Sequence, residues 1–355
     1  MISLTSLIAG RPLAVYGYGN SYHFLNAIVF TPLKIKVDYL IDKKFTEYSL
    51  LDTVSFVPPK DLGKIVPTTV VVIVAVGNFE EFKALSDELK KHGFTEIIYF
   101  QDIYEYNLVY SSKSQSKKIQ KYFQCNSDLI EEVRKFFTDN ESLSLYDAII
   151  STHLNQKLEK IPSHSVQLQY FDNKLFKSGS YDRLLQVGAY DGDTLVNLAN
   201  LGVNPSTLWA LEPDENNFLK LKQNLPESWK SSKINLLQMA ASNRSDNIFF
   251  DSNNGPTSRI GNGTSTVKSI KLDEYSFEKD PTFIIIDVEG YERQVLTGLK
   301  KTIRRCKPVI AIATYHFPTD ILKIPIYINS VSPYKNLKLR NYSGCVVDTV
   351  MYFND

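Results

Sequence analysis

Apolar residues recur along this chain in two rhythms. Short unbroken apolar runs alternate with stretches where they return every three or four positions, which predicts parallel strands buried on both faces and joined by helices. In "RPLAVYGYGNSYHFLNAIVF", Leu13 to Tyr16 reads as a buried strand, Gly17-Tyr18-Gly19 as its turn, and Phe24, Leu25, Ile28 and Val29 as the inner face of a helix. "KVDYLIDKK" predicts a second strand ending at Asp42, and "TTVVVIVAV" (68–76) an interior one. Residues 80–92 read as a helix closed by Gly93, followed by a strand in "TEIIYF". Strand, helix and strand in this order give a parallel sheet with right-handed crossovers.

The rhythm changes after residue 105. "SSKSQSKKIQKYF", "SDLIEEVRKFF" and "ESLSLYDAIISTHL" carry apolar residues at helical spacing only, so 106–165 is expected as a helical connector that packs on a neighbour. A second α/β unit follows from 166 to 355. Strands are expected at 183–187, 207–211, 234–240, 282–288 and 308–313. "NLKLRNY" and "VVDTVMYF", joined through Ser343-Gly344, alternate like an antiparallel pair. The fold class is therefore α/β, with a smaller Rossmann-like domain over 1–105 ahead of a parallel sheet that ends in an antiparallel hairpin. Dehydrogenase-type nucleotide domains do not usually end so.

With 355 residues, the chain is long enough for two domains, each with its own core. Its 40 Lys+Arg offset 39 Asp+Glu, which leaves no basic excess for nucleic-acid phosphates. The first ten residues lack a basic segment leading an apolar one, and no run reaches eighteen apolar residues, so a soluble, unexported, cytoplasmic protein is expected. The three cysteines, Cys125, Cys306 and Cys345, are too scattered for a metal knuckle or a disulfide framework.

Candidate chemistry lies in the second unit. In "QVGAYDGDT", Gly188 and Gly192 permit a tight strand-to-helix turn, and Asp191, Asp193 and Thr194 supply an N-cap. Such turns hold nucleotide-like ligands, including NAD, FAD, nucleoside phosphates and S-adenosylmethionine. Two aspartates at the helix start suit a cationic or zwitterionic ligand better than a phosphate. "STLWALEPDENNF" ends its strand at Glu212-Pro213, about two dozen residues on, where an acid can accept both hydroxyls of a ribose. In "QMAASNRSDN", Ala240, Ala241 and Ser242 are small enough for an adenine ring to lie against. "TFIIIDVEGYERQVLTGLKKTI" ends a buried strand in Asp287 and Glu289, two carboxylates two residues apart that point into one crevice. Their repulsion is costly unless a cation, a hydroxyl or a metal shares the site.

"VGAYDGDT", "LEPDENNF", "IIIDVEGYE" and "ATYHFPTDILKIP" stand in the order and spacing of the FkbM methyltransferase family, which the chain resembles from about Tyr170 onward. "DNESLSLYDAI" and "LQYFDN" resemble the family's lead-in segments. The resemblance implies a class I methyltransferase fold for 166–355, S-adenosylmethionine as donor, and O-methylation of a sugar, glycan or small natural product. Carried over by position, Gly188, Ala189, Tyr190 and Asp193 line the methionine and ribose side, Glu212 takes the ribose hydroxyls, Ala241 and Ser242 flank the adenine, and Asp287 lies near the methyl. Many members have an acid two residues before the first glycine. Here Gln186 stands there, an acceptor without charge.

Methyl transfer to a hydroxyl needs positioning and a proton sink. His316, in "TYHFPTD", is the first candidate base, with Asp287, Glu289 and Glu292 as competitors; a divalent ion held by Asp287 and Glu289 is the less favoured alternative. Glu292 and Arg259 are candidate acceptor contacts, the latter from "NNGPTSRIGNGTSTV" (253–267), which reads as a long loop over the donor. In the first unit, "YGYGNSY" has Tyr22 where a dinucleotide fingerprint has its third glycine, which should hinder close packing of helix on strand. Two other classes stay open: a catalytically silent scaffold binding a nucleotide or nucleotide sugar, and, with less support, an NAD-dependent oxidoreductase. No N-P-P-aromatic motif for flipped bases is present. The acceptor's identity and the oligomeric state have no signature in the sequence.

Overall fold

The computed structural model describes residues 4–76, 79–100, 103, 113–155, 161–171, 176, 178–251, 259–260, 265–343 and 346–355. The chain divides into two compact units. One comprises Met1–Cys125 with Ala148–Lys160, the other Asn126–Asp147 with Ile161–Asp355. Among the described residues no helix is long and apolar enough to cross a membrane.

The first unit is built on β1 (Leu13–Tyr16), β2 (Tyr39–Ile41), β3 (Ser49–Leu51), β4 (Val54–Val57), β5 (Val71–Val74) and β6 (Glu96–Tyr99), in the order β3-β4-β2-β1-β5-β6. Every neighbouring pair is parallel except the β3–β4 hairpin. All four residues of β1 and of β5 are buried, as continuous apolar runs require in interior strands. After β1, Tyr22 packs edge-on or tilted against Tyr18, His23 and Phe30, and the helix continues into a π turn over Asn26–Phe30. Asp42 accepts from the backbone N–H groups of Tyr18 (2.6 Å) and Lys44 (2.8 Å), so both its oxygens brace the turn.

The second unit carries β7 (Arg183–Val187), β8 (Thr207–Leu211), β9 (Lys233–Leu237), β10 (Ala240–Ser242), β11 (Asn247–Asp251), β12 (Arg259–Ile260), β13 (Ser265–Lys271), β14 (Phe283–Ile286), β15 (Val309–Ala313), β16 (Asn336–Asn341) and β17 (Thr349–Asn354). Its main sheet has seven strands in the order β16-β17-β15-β14-β7-β8-β9. The five strands from β15 to β9 run parallel, and β17 pairs antiparallel with both β15 and β16. This is the α/β sheet with an antiparallel edge that the hydrophobic pattern predicts.

Two expectations need correction. The strand expected over 234–240 breaks after Leu237, where Met239 N–H turns back to the Leu237 carbonyl, and β10 then pairs with β13 in a separate four-stranded sheet, β10-β13-β11-β12. The segment 253–267 is not loop throughout. Arg259–Ile260 and Ser265 onward are strands against β11, whose paired backbone satisfies groups that a loop would leave to water.

The core of this unit gathers Phe283, Ile285, Leu184, Ala311 and Tyr352 from the sheet with Tyr181 and Trp229. All four residues of β14 are fully buried, each side chain contributing about 1.5–3 kcal/mol by leaving water. Residues of Asn126–Asp147 belong to the same unit: the Ser142 hydroxyl accepts from Leu339 N–H, and Arg340 reaches Asp139 and Ser142, which ties this segment to β16.

Candidate active site

The parallel strands deliver their carboxyl ends to one crevice, as open α/β sheets do. There a cavity of about 330 Å³ is walled by the turns after β7, β8, β14 and β15, by β10 and β11, and by residues 169–170.

The turn after β7 has the tightest constraint. Gly188 sits at φ +83°, and a Cβ there would fall 1.8 Å from the Asp287 carbonyl oxygen. The glycine is thus required by the neighbouring strand end, and it lets the Asp287 turn lie against its own. Gln186 is buried and lines the cavity; its Oε1 makes no hydrogen bond. Tyr190, at φ +48°, donates its N–H to Glu212 Oε2 at 2.9 Å, and Asp214 N–H donates to Glu212 Oε1 at 2.9 Å. Burial pushes the Glu212 carboxyl up to about 7, against those two donors. Asp214 itself caps the following helix, accepting from Asn216 and Asn217.

At the other end, Asp287 and Glu289 both line the cavity, and Glu289 is held at φ +53°. Asp287 Oδ2 accepts from the Tyr170 hydroxyl at 2.6 Å. Burial raises the Asp287 carboxyl to about 7, opposed chiefly by His316, and it also holds the Tyr170 hydroxyl well above its ordinary value, so that Tyr170 remains a donor. His316 lies behind the two acids. It is 4% exposed and does not line the cavity, and its Nε2 stands 3.5 Å from Asp287 Oδ1 and 3.4 Å from Glu289 Oε2. Its Nδ1 is 2.8 Å from Glu292 Oε1, which also accepts from the N–H groups of Val288 and Gly290. Burial disfavours the imidazolium, but Glu292 and Glu289 outweigh it and hold the His316 proton well above the ordinary range. Burial likewise opposes ionisation of Glu292, and His316 reverses the balance, keeping it below the usual carboxylate value.

Residues 186–336 match the sequence profile of the Methyltransferase FkbM domain. Residues 186–336 thus form an FkbM methyltransferase domain. Methyltransferase FkbM from Methylobacillus flagellatus KT shares the fold at a TM-score of 0.71 and 20% identity, over 99% of this chain and 92% of that one. NSun6 from Pyrococcus horikoshii aligns over 49% of this chain and 47% of its own, at 13% identity and a TM-score of 0.31, too low to carry an argument. No curated protein matches the chain.

Within the FkbM domain, the cavity brings together Gln186, Gly188, Tyr190, Asp193, Thr194, Glu212, Pro213, Ala241, Asp287 and Glu289. Ala189 and Ser242 are buried behind its wall, and Asp191 also stands off it. Glu292, expected to meet the acceptor, is 1% exposed and instead braces the turn before its own helix and the His316 ring. The Arg259 side chain lies outside the described residues. Sequence reading misses Tyr170, Asn217, Met239, Phe250, Tyr315 and Asp348, all of which line the cavity. Burial raises the Asp348 carboxyl to about 6, and Asp348 adds a further acid near His316 and Glu289. Its φ of +53°, uncommon for a residue other than glycine, marks it in the structure but leaves no trace in the sequence.

Proposed function

We propose that the FkbM domain transfers a methyl group from S-adenosylmethionine to a hydroxyl oxygen of a sugar, glycan or small natural product. The observation that carries this reading is Glu212. Two backbone N–H groups fix its carboxylate in the cavity wall, and its oxygens retain acceptor capacity for the paired hydroxyls of a ribose.

The other residues fit the same ligand. Gln186 Oε1, buried and unsatisfied, offers an acceptor to an ammonium group in the cavity that Asp193 also lines. Ala240, Ala241, Met239 and Phe250 give a flat apolar boundary for an adenine ring. When bound, S-adenosylmethionine supplies the methyl on a sulfonium, whose C–S bond breaks with its electron pair going to sulfur as the new C–O bond forms. The chain's own part is to hold the acceptor oxygen in line and to receive its proton. Asp287 and Glu289 line the cavity and serve as that sink, with Tyr170 fixing Asp287. His316 positions both acids from behind.

Calorimetric titration with S-adenosylmethionine, S-adenosylhomocysteine and NAD tests the reading. Micromolar binding of both sulfur ligands, lost in Asp193→Ala, is expected. Binding of NAD alone would move the cofactor to the first unit and the activity to a different class. Binding of none would favour a silent scaffold.

A further inference from the structure

Three side chains from two turns converge at the cavity floor, two lining it and one behind them. Asp287 and Glu289 follow β14, and His316 follows β15; one ligating atom from each lies within 4.8 Å of the other two. His316 Nε2 is buried, aims between the two carboxylates, and makes no hydrogen bond, and Asp287 Oδ1 makes none either. Buried polar atoms are rarely left in this state without an ion or water to meet them.

The spacing distinguishes a cation from a proton. Charge-assisted hydrogen bonds close to about 2.7–2.9 Å. Here the ring nitrogen stands off at 3.5 Å and 3.4 Å. Atoms bound to a common ion at about 2.1–2.4 Å occupy neighbouring corners about 3.0–3.4 Å apart. Orientation agrees with this. Glu292 holds Nδ1 of His316, and a histidine fixed through one nitrogen by a carboxylate is the usual partner arrangement for a metal at the other. Crowding of acids agrees too: oxygens of Asp287, Glu289 and Glu292 lie within 3.5 Å of one imidazole, an arrangement that a bound cation offsets.

We propose that Asp287 Oδ1, Glu289 Oε2 and His316 Nε2 bind one divalent cation. Two carboxylate oxygens and one imidazole suit a first-row ion such as Mn²⁺ better than Mg²⁺ or Ca²⁺, which take oxygen alone. Asp287 and Glu289 face the cavity, so the ion's remaining positions open there, where they suit the oxygen of an acceptor hydroxyl. The carboxylate oxygens that the ion leaves, Asp287 Oδ2 and Glu289 Oε1, stay available to take that hydroxyl's proton. That link to the reaction rests on the methyl-transfer reading; the ion site does not.

Manganese alone is the probe. Full-length protein freed of metal by a chelator is titrated with Mn²⁺, and free ion is followed by its electron paramagnetic resonance signal. One ion per chain with micromolar affinity is expected, weakened at least tenfold in Glu289→Gln and in His316→Ala. Glu289→Gln changes a partly exposed side chain and keeps its size, so it reports even if His316→Ala does not fold. Absence of binding below millimolar Mn²⁺, or equal binding by wild type and Glu289→Gln, overturns the proposal. S-adenosylhomocysteine is titrated into the same samples. Its binding without Mn²⁺ binding removes the ion site and leaves the methyl-transfer reading; Mn²⁺ binding without it does the reverse.

Discussion

Tyr170 and Asp287, 117 residues apart in sequence, meet through a 2.6 Å hydrogen bond from the phenol to the carboxylate. Tyr170 is itself anchored, since its N–H donates to the Tyr352 hydroxyl and its carbonyl accepts from Tyr181. The phenol therefore works as a fixed strut for a cavity-lining acid. Tyr170→Phe removes one donor and little volume. Turnover should fall about tenfold, while S-adenosylhomocysteine affinity stays within about threefold. A melting temperature lower by a few degrees should accompany the change, as one lost buried hydrogen bond implies. Steady-state kinetics beside calorimetry checks this; equal losses in binding and turnover would speak against it.

Glu212→Gln replaces a carboxylate whose two oxygens each accept from one N–H donor with an amide that must turn its own NH₂ toward one of them. Loss of a charge-assisted pair costs about 1.5–3 kcal/mol, so affinity for S-adenosylhomocysteine should drop about 10-fold to 100-fold. An unchanged dissociation constant would remove Glu212 from the ligand site.

The same residue gives a pH signature. Burial raises the folded-state Glu212 pKa from 4.5 to about 7, so between those values the folded chain holds a proton that the unfolded chain has released. Stability from this group must then fall as pH rises from about 4.5 to 7. Denaturant unfolding of the ligand-free protein at pH 5 and pH 7.5, compared with Glu212→Gln, should show a steeper decline in wild type by about 1–3 kcal/mol. Parallel lines would refute it.

Gly188→Ala should be severe. The added Cβ meets a backbone oxygen at 1.8 Å, at a φ of +83° that alanine avoids. A loss above about 3 kcal/mol, or failure to accumulate folded protein, is expected in denaturant melts.

Asp273 offers a contrast. Its carboxylate accepts from Lys301 N–H, Thr302 N–H and the Thr302 hydroxyl, capping the helix Lys300–Cys306 from a distant turn. Asp273→Ala should cost about 1–2 kcal/mol in unfolding while leaving ligand affinity intact. A change in affinity would show that the cap helps set the site.

Strands whose apolar runs are continuous, such as β1, β5, β7, β8 and β14, are readable because burial on both faces leaves no other pattern. The hairpin β3–β4 is not, since three and four residues with exposed Leu50 and Leu51 carry no periodic signal. The break after Leu237 is equally silent, because "INLLQMAA" keeps the same mixture of apolar and amide residues across a change of sheet. In the site, Asp287 and Glu289 are legible from their spacing at a strand end, and Glu212 from its distance to the glycine turn. Tyr170 and Asp348 reach the cavity only through tertiary folding. His316 is visible as a lone histidine near an edge, but its place behind the acids depends on the Glu292 contact, which bridges 24 residues.

β17 is the last strand of its sheet in chain order, yet it is inserted between β16 and β15. Until it has been synthesised, β16 has no neighbour within the seven-stranded sheet and β15 keeps an open, apolar edge. Closure of this sheet thus waits for β17, and a nascent chain that has made β15 and β16 but not β17 carries an adhesive flank.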